Sequence, residues 1–347
     1  MRVKIDIYTH IVPSKYLETL TKKIEKSTLE EFTPGRILGI QLTRTLWNLD
    51  ERFRIMDKYN GLVQVLTPSG PSLELVAQPQ QAVELAKIYN DEMAELVVKY
   101  PDRFLAAVAS LPLNDIDATL KEAERAIKEL GFKGILINTP LYINSLKVSK
   151  PIDLPEFMPL YELMAGYNLP IWIHPTGEVF PPDYLTEDRS KYMIFQCFGW
   201  PHDTTVAMAR LVYSGVLERY PNLKFITHHC GGMVPFLADR ITGSCEWYEV
   251  CLKARFVGKL SKPPLEYFKK FYNDTALYGN TPALMCAYAF FGAEHLLFGT
   301  DVPYDAELGD KYTRDTINAI QRMDIAESEK KKIFEDNAKL LLNLKSS

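Results

Sequence analysis

The sequence predicts an α/β protein of the (β/α)8 TIM-barrel type, distorted, with an insertion after strand 1 and C-terminal helices. Three observations carry that expectation. Short β-rich runs alternate with amphipathic helical stretches from end to end, the runs number eight, and polar side chains stand at the ends of several of them. A doubly wound open sheet produces the same alternation, but no GxGxxG or P-loop segment follows an early run here.

In chain order the runs are VKIDIYT (3–9), GLVQVLT (61–67), FLAAVASL (104–111), KGILINT (133–139), LPIWIHP (169–175), LKFITHH (223–229), FYNDTA (271–276) and HLLFGTD (295–301). Helical periodicity fills most of the intervals, at 79–99, 115–130, 154–167, 202–219 and 281–290. The stretch TPGRILGIQLTRTLWNLDER (33–52) reads as an insertion or lid, placed at about 30–60 within one domain spanning 1–347. Helices near 312–322 and 326–343 close the fold.

With 347 residues, 47% hydrophobic and 24% charged, the chain can bury a large core. A formal net charge of -4, with basic residues scattered among acids, gives no sign of a nucleic-acid or anionic-membrane surface and points to small-molecule chemistry. The opening MRVKIDIYTHIVP meets polar residues before any long apolar run, and no stretch is long enough to span a bilayer, so a cytoplasmic protein is expected. Five cysteines without a CxxC pair suggest neither a disulfide framework nor a thiolate zinc site.

Catalytic groups in such a barrel sit at the C-terminal ends of strands. There the runs deliver His10, His174, the pair His228 and His229, and Asp301, so that four of the six histidines fall at run ends. One strand-end histidine is ordinarily a hydrogen-bonded structural residue. Imidazoles and a carboxylate from separate strands, however, are the donor set of a catalytic divalent-metal site: three protein ligands and an open position. His202 and His295 lack that setting and read as structural.

These stretches resemble the amidohydrolase-related family of metal-dependent barrels, in its branch of α-amino-β-carboxymuconate-ε-semialdehyde and γ-resorcylate decarboxylases. The segments IDIYTHIVP, WNLDERFRIMD, LPIWIHPTG, RLVYSGVLERYPNLKFITHHCGGMVPFLADRI and LLFGTD carry the resemblance across residues 5–303. It implies His10, His174 and Asp301 as ligands of one divalent ion, Zn2+ first and Mn2+ or Fe as alternatives. It also implies His229 as the catalytic base, beside Asp301 as ligand or proton shuttle. His228, one residue earlier, is expected to point away if the strand stays regular. Gly231 and Gly232 are expected to let backbone approach the substrate closely. The resemblance further places Arg52 on a substrate carboxylate and Arg240 across the interface of a homodimer, a role that a planar guanidinium fork suits. Arg54 is a substitute for Arg52. Trp47, Phe53 and the 176–200 segment would shield the site from water.

The departure is Tyr8. Family members hold histidine or glutamate there as a fourth ligand, and Asp6, Tyr8 and His10 should share one strand face. Three readings stand open. Tyr8 is a hydrogen-bonding neighbour of a three-ligand site and its substrate; or it ligates as phenolate, which favours a harder metal; or the metal is lost. The reaction implied is non-oxidative decarboxylation of a small unsaturated or hydroxyaromatic carboxylic acid. The alternatives are hydrolysis or hydration of a small cyclic or unsaturated acid, amide or lactone on the same site, and a catalytically silent barrel.

Overall fold

The computed structural model describes residues 3–33, 35–145, 148–177, 180–253, 258 and 260–344. Seven of the expected runs form parallel strands: β1 (Lys4–Ile11), β2 (Leu62–Pro68), β3 (Phe104–Ala107), β4 (Ile135–Thr139), β5 (Pro170–Pro175), β6 (Lys224–Thr227) and β7 (Tyr272–Asn273). The eighth, at 296–302, runs beside them. Ladders join β1 to β2 to β3 and β4 to β5 to β6 to β7. Single parallel bridges, Ala109 to Ile135, Asn273 to Leu296 and Thr9 to Val302, carry the order through the remaining seams. Across the last seam the Ile7 N–H donates to Phe298 O (2.9 Å) and the Asp301 N–H to Tyr8 O (3.1 Å).

Nearly every strand contributes to one apolar cluster that includes Ile5, Ile7, Val65, Val108, Trp172 and Leu297, all fully buried. Residues from all round the ring can share contacts only in the barrel's interior. There Trp172 Nε1–H donates to Ile7 O at 3.1 Å, spanning from β5 to β1. A larger cluster packs the outer strand faces against helices such as Pro79–Lys99, Ile116–Lys128 and Trp200–Tyr213. Each fully buried large side chain contributes about 1.5–3 kcal/mol.

Helix boundaries follow local chemistry. Asn48, Asp115 and Asn280 cap helices by accepting from the N–H three residues on, and Gly215, at φ +84°, divides the expected 202–219 helix into Trp200–Tyr213 and Val216–Arg219. The stretch after β1 is helical, with Ser14–Lys23, Lys26–Phe32, Arg36–Leu42 and Leu49–Met56. Of the 176–200 segment, Glu178 and Val179 lie outside the described residues. Among the described residues no helix is long and apolar enough to cross a membrane.

Candidate active site

Strand ends bring His10, His174, His228, His229 and Asp301 together. One ring nitrogen from each of His10, His174 and His228 lies within 4.8 Å of the others, and His228, His229 and Asp301 meet the same limit. Asp301 Oδ1 stands 3.2 Å from His10 Nε2 and 3.3 Å from His228 Nε2.

The other ring nitrogen of His10, His174 and His228 is tied down. His10 Nδ1 lies 3.0 Å from Pro68 O and His174 Nδ1 2.6 Å from Pro175 O. A carbonyl only accepts, so both rings carry their proton on Nδ1 and offer the Nε2 lone pair to the cluster. His228 Nδ1 faces the Asp274 carboxylate, which is itself fixed by the N–H groups of Cys230 (2.9 Å) and Ala276 (3.0 Å). Such backing of imidazoles by carbonyl and carboxylate is how metal-ligating histidines are oriented. His10 Nε2 is buried with no hydrogen-bond partner among the described residues. The donor set therefore fits a divalent cation.

His228 does not point away. Regular strand ends at Thr227, and His229 and Cys230 follow with φ of +52° and +54°, conformations costly for non-glycine residues. That turn breaks the two-residue alternation, so both rings face the cluster with centroids 3.9 Å apart. Gly231 and Gly232 serve the same turn rather than a substrate. A Cβ at Gly232 would lie 2.5 Å from Pro201 O, and one at Gly231 2.8 Å from the Phe291 ring.

Electrostatics separate the groups. Burial opposes charge on Asp301, but His228 and His10 outweigh it and hold the carboxyl well below its usual range. Burial opposes charge on His228 too, yet Asp274 and Asp301 push its ring up. Burial, reinforced by His228, keeps His229 neutral, and its Nδ1 is buried without a partner.

Several expected roles need correction. Tyr8 is fully buried, its hydroxyl donates to Ile173 O (3.2 Å), and its ring stacks on His228 at 4.1 Å and 20°. It faces the barrel interior beside the His10 and His174 rings, where the β1–β2 register shifts between Asp6 and Thr9 and interrupts the alternation. Arg52 Nε donates to Gln64 Oε1 (2.7 Å) and Nη1 to His10 O (2.7 Å) and Thr45 O (3.3 Å). It braces the end of β1 from behind, beside a small cavity shared with Gln64 and Val302. Arg54 pairs with Glu51 in solvent. Trp47 donates to Ile40 O (3.2 Å) and packs against the outer core. Arg240 is exposed on the helix Ala238–Cys251. His202 and His295 stand apart, beside Asp203 and on Phe271 O respectively.

A cavity opens on His10 and His174 and is bordered by Arg36, Ser69, Asn138 and Tyr304. Arg36 is the only lysine or arginine among its described lining residues, with Nη2 3.3 Å from both Ser69 Oγ and Tyr304 Oη. The sequence reading passed over Arg36 and Asp274. Asp274 had a signal, since it is a polar residue in the seventh run, directly after the strand Tyr272–Asn273.

An α/β barrel that gathers imidazoles and a carboxylate at its strand ends has the fold and the donor set of a metal-binding barrel enzyme. More specifically, the chain is a member of the amidohydrolase family, whose model matches residues 5–344. It is 31% identical over 324 residues to the γ-resorcylate decarboxylase of Rhizobium sp. (strain MTP-10005), covering 90% of this chain and 92% of that one. To the 2-amino-3-carboxymuconate-6-semialdehyde decarboxylase of Dictyostelium discoideum it is 27% identical, covering 99% and 92%. The crystal structure of 2,6-dihydroxybenzoate decarboxylase complexed with 2,6-dihydroxybenzoate superposes with a TM-score of 0.80 at 27% identity, covering 99% of this chain and 100% of that one. A dihydroxybenzoic acid decarboxylase from Polaromonas sp. JS666, with bound manganese and the inhibitor 2-nitroresorcinol, superposes at 0.76 and 26% identity, covering 100% and 98%.

Proposed function

We propose that the protein is a metal-dependent, non-oxidative decarboxylase of a small hydroxyaromatic carboxylic acid, with one divalent ion, Zn2+ or Mn2+, held by His10, His174 and Asp301. The observation that carries this reading is the meeting of buried imidazole nitrogens and one ionised carboxylate at the strand ends, with His10 and His174 reaching the cavity. The named relatives and the manganese-containing neighbour support it. The ion supplies positive charge for the substrate's anionic oxygens.

The chain's own groups do the rest. Arg36, at the cavity wall, pairs with the anionic end of the acid through its planar fork. His229, neutral and unpartnered at Nδ1, accepts the proton of the substrate's phenolic hydroxyl and returns it to the ring carbon that bears the carboxylate. The carbon–carbon bond breaks, its electron pair stays on that carbon to take the proton, and CO2 leaves with a phenolate as the other product. Trp200 lies parallel to His229 at 6.4 Å and limits water there. A homodimer is part of the reading. It is supported by the helix Ala238–Cys251, which has no buried residue and carries Arg240 and the exposed Trp247 and Val250.

Incubation with a hydroxybenzoate panel in Zn2+ or Mn2+ should release one CO2 per phenol formed, and Arg36→Met should raise KM at least tenfold. Ring opening or water addition without CO2 would replace the reading with the hydrolase or hydratase alternative.

A further inference from the structure

We propose that His228 is itself a metal ligand, occupying through Nε2 the coordination place that the family gives to the residue at position 8. The inference rests on the metal-dependent reading above. Two donors about 2.1 Å from one ion and subtending 90–110° are roughly 3.0–3.4 Å apart. The 3.2 Å from His10 Nε2 to Asp301 Oδ1 and the 3.3 Å from His228 Nε2 to the same oxygen both meet that spacing. By distance His228 is as much a ligand as His10. A ring nitrogen of His228 also lies within 4.8 Å of those of His10 and His174, so the three imidazoles are neighbours in one cluster.

The support behind His228 is that of a ligand. Asp274 holds its Nδ1, and two backbone N–H groups hold Asp274. This fixes the ring plane and leaves Nε2 for the ion. Tyr8, by contrast, spends its hydroxyl on Ile173 O and offers the cluster only its ring face. The phenol is then a flat platform that sets the tilt of His228, and the ligand count lost at residue 8 is restored from the end of β6.

Wild type, His228→Asn, Tyr8→Phe and Asp274→Asn would be stripped of metal and titrated with Co2+, following visible absorption. His228→Asn should weaken Co2+ binding at least 100-fold and change the spectrum, Asp274→Asn should weaken it 10–100-fold, and Tyr8→Phe should leave both unaltered. Co2+ binding by His228→Asn with wild-type affinity and spectrum overturns the proposal while the metal-dependent reading stands. A wild type that binds no Co2+, Zn2+ or Mn2+ overturns both. Should His228→Asn fail to fold, anomalous diffraction from Co2+-loaded wild-type crystals decides. An ion about 2.0–2.2 Å from His228 Nε2 supports the assignment, and one beyond 3 Å ends it.

Discussion

Replacing Arg52 by methionine separates a brace from a substrate anchor. The side chain is 4% exposed and its guanidinium makes two bonds of 2.7 Å, to Gln64 Oε1 and to the backbone carbonyl of His10, with a weaker one to Thr45 O. Hydrogen bonds from a charged donor contribute about 1.5–3 kcal/mol each, so the two short ones represent roughly 3–6 kcal/mol. Part of that returns on substitution, because burial already disfavours the cation and pulls its pKa down to about 10. Methionine also fills the apolar stem's volume. The net cost should be about 2–4 kcal/mol in the free energy of urea unfolding. In steady-state assays, kcat should fall with His10, whose backbone the guanidinium holds, while KM for the aromatic acid changes little. An unfolding free energy within about 0.5 kcal/mol of wild type, together with a KM raised tenfold or more, would refute the brace and restore the anchor.

Three further outcomes are expected. His229→Ala should lower kcat by about 10²–10⁴ while bound metal stays near the wild-type level, and unchanged turnover would remove it from proton transfer. Asp6 is buried against Thr300, whose hydroxyl donates to it at 2.5 Å, and burial pushes its pKa up to about 7. The folded state therefore binds this proton more tightly than the unfolded chain. The stabilisation is complete below about pH 4 and is lost as pH rises to about 7, on the order of 4 kcal/mol in all. Unfolding free energies of Asp6→Asn and wild type should accordingly converge or cross in that window, and parallel curves would contradict the assignment. Gly232→Ala should cost at least about 2 kcal/mol, because φ is +58° and the new Cβ would meet Pro201 O at 2.5 Å. A thermal midpoint equal to wild type would show that the turn relaxes freely.

The eight runs and the helices between them were legible because each is written locally. Alternating and continuous apolar residues such as those of LPIWIHP and LKFITHH favour strand wherever they occur, and a 3.6-residue period such as that of 79–99 favours helix. His10, His174 and Asp301 could be picked out for the same reason, as polar residues ending apolar runs. The alternation rule failed twice, and each failure has a local cause that composition conceals. The register shift after Asp6 turns Tyr8 inward, and the left-handed His229 and Cys230 bring His228 and His229 to the same side.

By itself, then, the sequence determined the fold class, the order of the strands and which strand ends carry donor atoms, since these depend on neighbours a few residues apart. Only the tertiary structure decided what those side chains face. Asp274 lies 46 positions from His228, Arg52 42 from His10, and Ile173 165 from Tyr8. Such pairs meet because ring closure brings distant strands side by side. Which arginine reaches the cavity, which braces a strand from behind, and which histidines are neighbours in one cluster are properties of that closure rather than of any local pattern.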